Sequence, residues 1–78
     1  MLSLKLPRIS GIEVIKALKK AGFEQTRQSG SHVILVKYCS DRKHTVTVPI
    51  HPELARKTLL SIMKQANMAR EEFLELLD

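Results

Sequence analysis

Val33-Ile34-Leu35-Val36 is the longest unbroken apolar run in the chain, and it constrains the fold more than any other feature. It lies within His32–Tyr38, a β-branched and apolar segment of strand length. Both alternating sets, Val33/Leu35 and Ile34/Val36, are apolar, so neither side of this strand is made for water. It reads as the central strand of a small sheet. Four residues are also far too few to cross a bilayer, so no transmembrane helix is expected.

The flanking segments supply the rest of that sheet. Phe23–Gln28 is polar and reads as an edge strand, with Ser29-Gly30 as the turn into the central one. Cys39–Lys43 reads as a loop around Ser40-Asp41. Thr45-Val46-Thr47-Val48 then alternates as a third strand, ended by Pro49 and Pro52. Upstream, Ser10-Gly11-Ile12-Glu13 has the form of a capping box, and Gly22 suits a helix terminus with positive φ. A first helix is therefore predicted over about 11–21, sending Ile15 and Leu18 to the core with Phe23. Downstream, Leu59, Ile62, Met63 and Ala66 share one face of a second helix near 56–66, which Asn67 can close in a left-handed conformation. A short helix at about 70–77 carries Phe73, Leu74 and Leu77 behind a poor N-cap, Ala69.

The predicted class is α+β, an α-β-β-β-α order with a short C-terminal helix. Seventy-eight residues allow one such domain, 1–78, and no second core. Two helices cover one face of a three-stranded antiparallel sheet and leave the other open. Part of the apolar central strand must then face away from the helices. That strip calls for a protein partner or a homodimer, or else for shielding by loops.

Charge narrows the partner. The net charge of +5 is unevenly spread. Residues 1–64 carry twelve basic and four acidic side chains, and residues 65–78 carry one and four. A basic body with an acidic tail suits a polyanion, nucleic acid first, although solvated surface charge would give the same count. Phe23, Tyr38 and Phe73 are the only aromatics, and two of them belong to the core. Contact through phosphates, sugars and shape therefore fits better than base stacking. The α-β-β-β-α order is also that of double-stranded RNA-binding domains. A lone Cys39 allows no internal disulfide and points to a reducing, cytoplasmic setting. The opening MLSLKLPRIS lacks the apolar stretch of a signal peptide.

Few residues offer chemistry. His32, His44, His51 and Cys39 lack zinc-site spacing, so neither a metal nor another cofactor is expected. There is no nucleophile elbow and no phosphate-cradling Gly-rich loop. Gly30-Ser31-His32 stands out, because it places an imidazole just after a tight turn whose glycine would let another chain approach closely. Imidazole suits proton transfer near neutrality, and a turn histidine can equally be plain surface. Arg27, Lys37, Arg42 and Lys43 lie on the strands and loop around it. Arg56 and Lys57 open the second helix, whose first turn offers amides to a phosphate, as does Ser10-Gly11 at the first.

Read together, these residues resemble one family. The pattern runs Ser10-Gly11-x-Glu13-Val14-Ile15-Lys16-x-Leu18-x-x-x-Gly22-Phe23, Arg27-Gln28-x-Gly30-Ser31-His32, Val46-Thr47-Val48-Pro49-x-His51, Thr58-Leu59-x-Ser61-Ile62-x-Lys64-Gln65-Ala66, then Arg70-Glu71-Glu72-Phe73-Leu74. It is similar to the HicA/YcfA-like toxins over about residues 8–77. Arg56-Lys57 stands where that family usually has Pro-Gly, and Asn67 and Ala69 stand where it usually has Gly and Ser.

The resemblance implies a double-stranded-RNA-binding-domain-like fold and an mRNA interferase, the toxin half of a type II pair held inactive by a HicB-like antitoxin. It also implies that His32 is the one catalytic histidine. RNA brings its own nucleophile, so such a protein needs only to align the 2′-OH with phosphorus and move protons. His32 would serve as general base or general acid, with Arg27 or Lys37 steadying the phosphate and Ser10, Gly11, Gly30, Ser31, Arg56 and Lys57 binding RNA. The product would be a 2′,3′-cyclic phosphate, with no metal required. Two other classes fit the same residues: a non-catalytic RNA-binding module, and an interaction protein that docks a partner on its open sheet.

Overall fold

The computed structural model describes residues 8–77. Residues 1–7, which hold most of the opening segment read above, and Asp78 of the acidic tail lie outside them. The element order is α1 (Gly11–Lys20), β1 (Glu24–Ser29), β2 (His32–Cys39), β3 (Arg42–Pro49), α2 (Arg56–Gln65) and α3 (Arg70–Leu76).

α1 begins with the expected capping box. The Glu13 N–H donates to Ser10 Oγ at 3.2 Å, and the Ser10 N–H donates to Glu13 Oε1 at 2.9 Å. Its end is a Schellman turn, with the Phe23 N–H on the Leu18 carbonyl at 3.0 Å and Gly22 at φ 101°. α2 ends the same way, with the Met68 N–H on the Met63 carbonyl at 2.9 Å and Asn67 at φ 55°. At α3 no side chain caps the Ala69 position, although the Glu72 carboxylate accepts the Ala69 N–H at 3.3 Å. The helix is held instead by Phe73, which is fully buried.

The sheet is antiparallel, in the order β1-β2-β3. β1 is an exposed edge strand along its whole length, with a bulge between Gln25 and Arg27. β3 is longer than the alternation of Thr45–Val48 indicates. Cys39 pairs with Arg42, so the expected loop over 39–43 shrinks to Ser40-Asp41, with Ser40 at φ 56°. Arg42, Lys43 and His44 continue the ladder through backbone bonds at an exposed strand end, where burial imposes no alternation on the side chains.

Val33 and Leu35 pair with Val48 and Val46, and all four are buried toward the helices. There they join Val14 and Leu18 of α1, Leu59 and Ile62 of α2, and Phe73 of α3. Ile12 falls off the buried stripe of α1 and is 49% exposed. Ile34 and Val36 face the other way, as one of the two apolar sets had to, yet Val36 is buried and Ile34 half-buried, so the strip is largely covered within the protein.

Candidate active site on the open sheet face

His32 is the first residue of β2 and is exposed. It lies between Ser29 of β1 and Pro49 of β3 in the cross-strand register. The preceding turn is held locally, with Gly30 at φ 59° and the Gln28 side-chain amide donating to the Gly30 carbonyl at 3.2 Å. A Cβ on Gly30 would meet nothing within 4 Å. This glycine therefore serves the turn's left-handed backbone. Among the described residues the space beside it is open.

Register sorts the expected cations. Arg27 pairs with Ile34, two residues along β2 from His32, so it occupies the next row of the same face. Such diagonal neighbours lie about 7–8 Å apart. Lys37 does not belong to this site. Five positions along an extended strand carry it roughly 17 Å from His32, onto the opposite face. There its Nζ sits 5.7 Å from the centre of the Phe23 ring.

The segment after β3 closes the site's other side. The Ile50 N–H donates to the Ser31 carbonyl at 2.6 Å, and the Gly11 N–H to the His51 carbonyl at 2.9 Å. The Leu54 N–H donates to the Ile9 carbonyl at 2.8 Å. These three bonds fasten residues 50–54 to both the His32 turn and the start of α1. They also use the amide that α1 was expected to offer a phosphate. Gly11 is buried with its N–H committed to His51, and the Ser10 N–H and hydroxyl are committed to the Glu13 carboxylate. Gly11 is required here by space, because a Cβ on it would overlap the Pro49 carbonyl oxygen.

Arg56 and Lys57 are exposed on the first turn of α2. Its N-cap, Ala55, makes no side-chain cap bond, and no acid occupies that turn. Ser31 stays exposed between Gly30 and His32.

His51 is the residue whose place the sequence left unassigned. It is exposed, two positions past the partner of His32. The signal was present in the spacing Pro49-x-His51, but reading it needed the register of β2 against β3.

A cleft of about 260 Å³ lies at the opposite end of the sheet, lined by residues that include Phe23, Lys37, His44, Met68 and Glu72. At the other end Ser31, His32 and His51 are exposed, where a polymer can lie across them. Among the described residues no group of three His, Cys, Asp or Glu is placed to hold a metal ion, and no helix is long and apolar enough to cross a membrane.

No curated protein matches the chain. A family model described as the HicA toxin of bacterial toxin–antitoxin pairs matches residues 11–68. That span runs from the first residue of α1 past the end of α2, and so contains the whole sheet, the Gly30-Ser31-His32 turn and the 50–54 segment. The chain belongs to the HicA toxin family: it is the toxin half of a bacterial toxin–antitoxin pair, and an antitoxin is its partner.

Proposed function

We propose that this toxin is an endoribonuclease that cuts mRNA by transfer to the neighbouring 2′-OH, with His32 as a proton-transfer group at the reacting phosphate. The observation that carries the reading is the position of His32. It is an exposed imidazole at the head of the central strand, on the open sheet face, with Arg27 in the adjacent row.

The chemistry suits a small open surface. The nucleophile comes with the substrate, so no deep pocket is needed to hold a water or a cofactor. His32 exchanges a proton with the 2′-OH or the departing 5′-oxygen, a contribution on the order of 10²–10⁴ in rate. Arg27 offers a charge-assisted contact to the phosphate as negative charge builds on it. Arg56 and Lys57 and the open first turn of α2 extend a basic track for the RNA backbone. The reaction takes no metal. It leaves a 2′,3′-cyclic phosphate and a 5′-hydroxyl in the cytoplasm, and a HicB-like antitoxin restrains it.

The test is His32→Ala. The side chain is exposed, so its loss leaves the core intact. Loss of RNA cleavage and of growth inhibition, with RNA and antitoxin binding retained, is the expected result. Cleavage at the wild-type rate by the variant would overturn the reading. Salt-dependent RNA binding by a wild-type protein that never cuts would make it a binding module instead.

A further inference from the structure

We propose that His51 is the second proton-transfer group of the reaction, so that two imidazoles, and not His32 alone, flank the scissile phosphate. This rests on the ribonuclease reading above and deepens it.

The geometry begins with the pairing of His32 and Pro49. Ile50 continues the ladder one residue beyond the strand, through its bond to the Ser31 carbonyl at 2.6 Å. Side chains along this stretch alternate. Val48 is buried toward the helices, Pro49 shares the face of His32, Ile50 packs against the core, and His51 is exposed. His51 therefore occupies the row of the open face next to His32, a diagonal neighbour about 7–8 Å away. Arg27 is the diagonal neighbour in the row on the other side. The order across the face is Arg27, His32, His51.

Backbone bonds, not the imidazole, hold His51 there. Its carbonyl accepts the Gly11 N–H at 2.9 Å, and its neighbour Ile50 is bonded to Ser31. Among the described residues the ring makes no hydrogen bond or ion pair. An in-line displacement at phosphorus has its attacking and leaving oxygens on opposite sides, so it needs proton transfer at two points. Two imidazoles spaced as diagonal strand neighbours can each reach one of these oxygens with a hydrogen bond of about 2.7–3.2 Å.

The step balances with these two groups. One imidazole, neutral, takes the proton of the 2′-OH as O2′ forms its bond to phosphorus. The other, protonated, gives its proton to the 5′-oxygen as the P–O5′ bond breaks. The products are the 2′,3′-cyclic phosphate and the 5′-hydroxyl, and solvent returns the exchanged proton.

The test uses a short RNA whose cleavage point has been mapped with the wild-type toxin. It is prepared with either the natural 5′-oxygen or sulfur at that linkage. A thiolate leaves without help from an acid, so sulfur rescues loss of the general acid and not of the general base. On the natural RNA, His51→Ala is expected to lose on the order of 10²–10⁴ in cleavage rate. On the sulfur linkage one of His32→Ala and His51→Ala should recover most of its loss, and the other should not.

His51→Gln, which keeps the polar bulk, should behave as the alanine variant does. Unchanged antitoxin binding shows that both variants are folded. A His51→Ala variant that cuts natural RNA at the wild-type rate overturns the proposal while leaving His32 as the catalytic group. So does sulfur rescue of both variants or of neither. Wild-type cleavage by His32→Ala would instead sink the ribonuclease reading itself.

Discussion

Gly11→Ala should destabilise this protein, although the same change in an ordinary helix stabilises it. Glycine in a helix costs roughly 0.5–1 kcal/mol relative to alanine, so the default expectation is a gain. Here the added methyl would overlap the Pro49 carbonyl oxygen and crowd the Ile50 Cα at 3.1 Å. Both are backbone atoms, and neither can swing aside as a flexible side chain would. α1 must shift away from the end of β3, which strains the Gly11–His51 hydrogen bond of 2.9 Å.

Overpacking of this kind costs about 1–3 kcal/mol, and a lost hydrogen bond about 0.5–1.5 kcal/mol. Set against the helix gain, the net is a destabilisation of roughly 0.5–4 kcal/mol. For a domain of this size each kcal/mol lowers Tm by about 4–8 °C. Urea unfolding followed by circular dichroism, with m unchanged, gives the free energy directly. Gly30→Ala provides the contrast, because its Cβ would meet nothing and only its φ of 59° resists substitution. That change should cost about 1–2 kcal/mol. A Gly11→Ala variant as stable as wild type, or more so, would refute the close approach of α1 to β3 and with it the placement of His51.

Three further outcomes separate local features of the structure. Ala69→Ser supplies α3 with the side-chain acceptor that it lacks, and should raise unfolding stability by about 0.5–2 kcal/mol in the same urea assay. Arg27→Ala should weaken RNA binding and reduce the slope of log affinity against log salt by about 0.7, the value for one phosphate contact on a single strand. Lys37→Ala should leave that slope untouched, because Lys37 covers Phe23 on the other face, and should cost only about 0.5–1 kcal/mol of stability.

What could be read from the sequence was mostly local. The Ser10–Glu13 box, the left-handed Gly22 and Asn67, the weak cap at Ala69 and the one-sided faces of α1 and α2 all follow from neighbours within a few residues. The start of β3 was not legible, because Arg42, Lys43 and His44 carry no burial pattern and are held in the ladder by backbone bonds. The site divided along the same line. Arg27 shares the face of His32 by strand parity, two positions from Ser29, the partner of His32, and that needs the register of β1 against β2. Lys37 fell to the opposite face by the simple parity of strand positions. The commitment of the Gly11 amide to His51 joins residues forty apart in sequence, and only the docked 50–54 segment reveals it.

The chemistry of the RNA ends produced in the presence of EDTA distinguishes transfer to the 2′-OH by His32 from every metal-dependent route. The wild-type toxin should cut mRNA without a metal and leave a 2′,3′-cyclic phosphate and a 5′-hydroxyl, while His32→Ala leaves the RNA whole. Fragments with a 3′-hydroxyl and a 5′-phosphate, cleavage abolished by EDTA, or the cyclic phosphate produced as fast by His32→Ala would contradict the account.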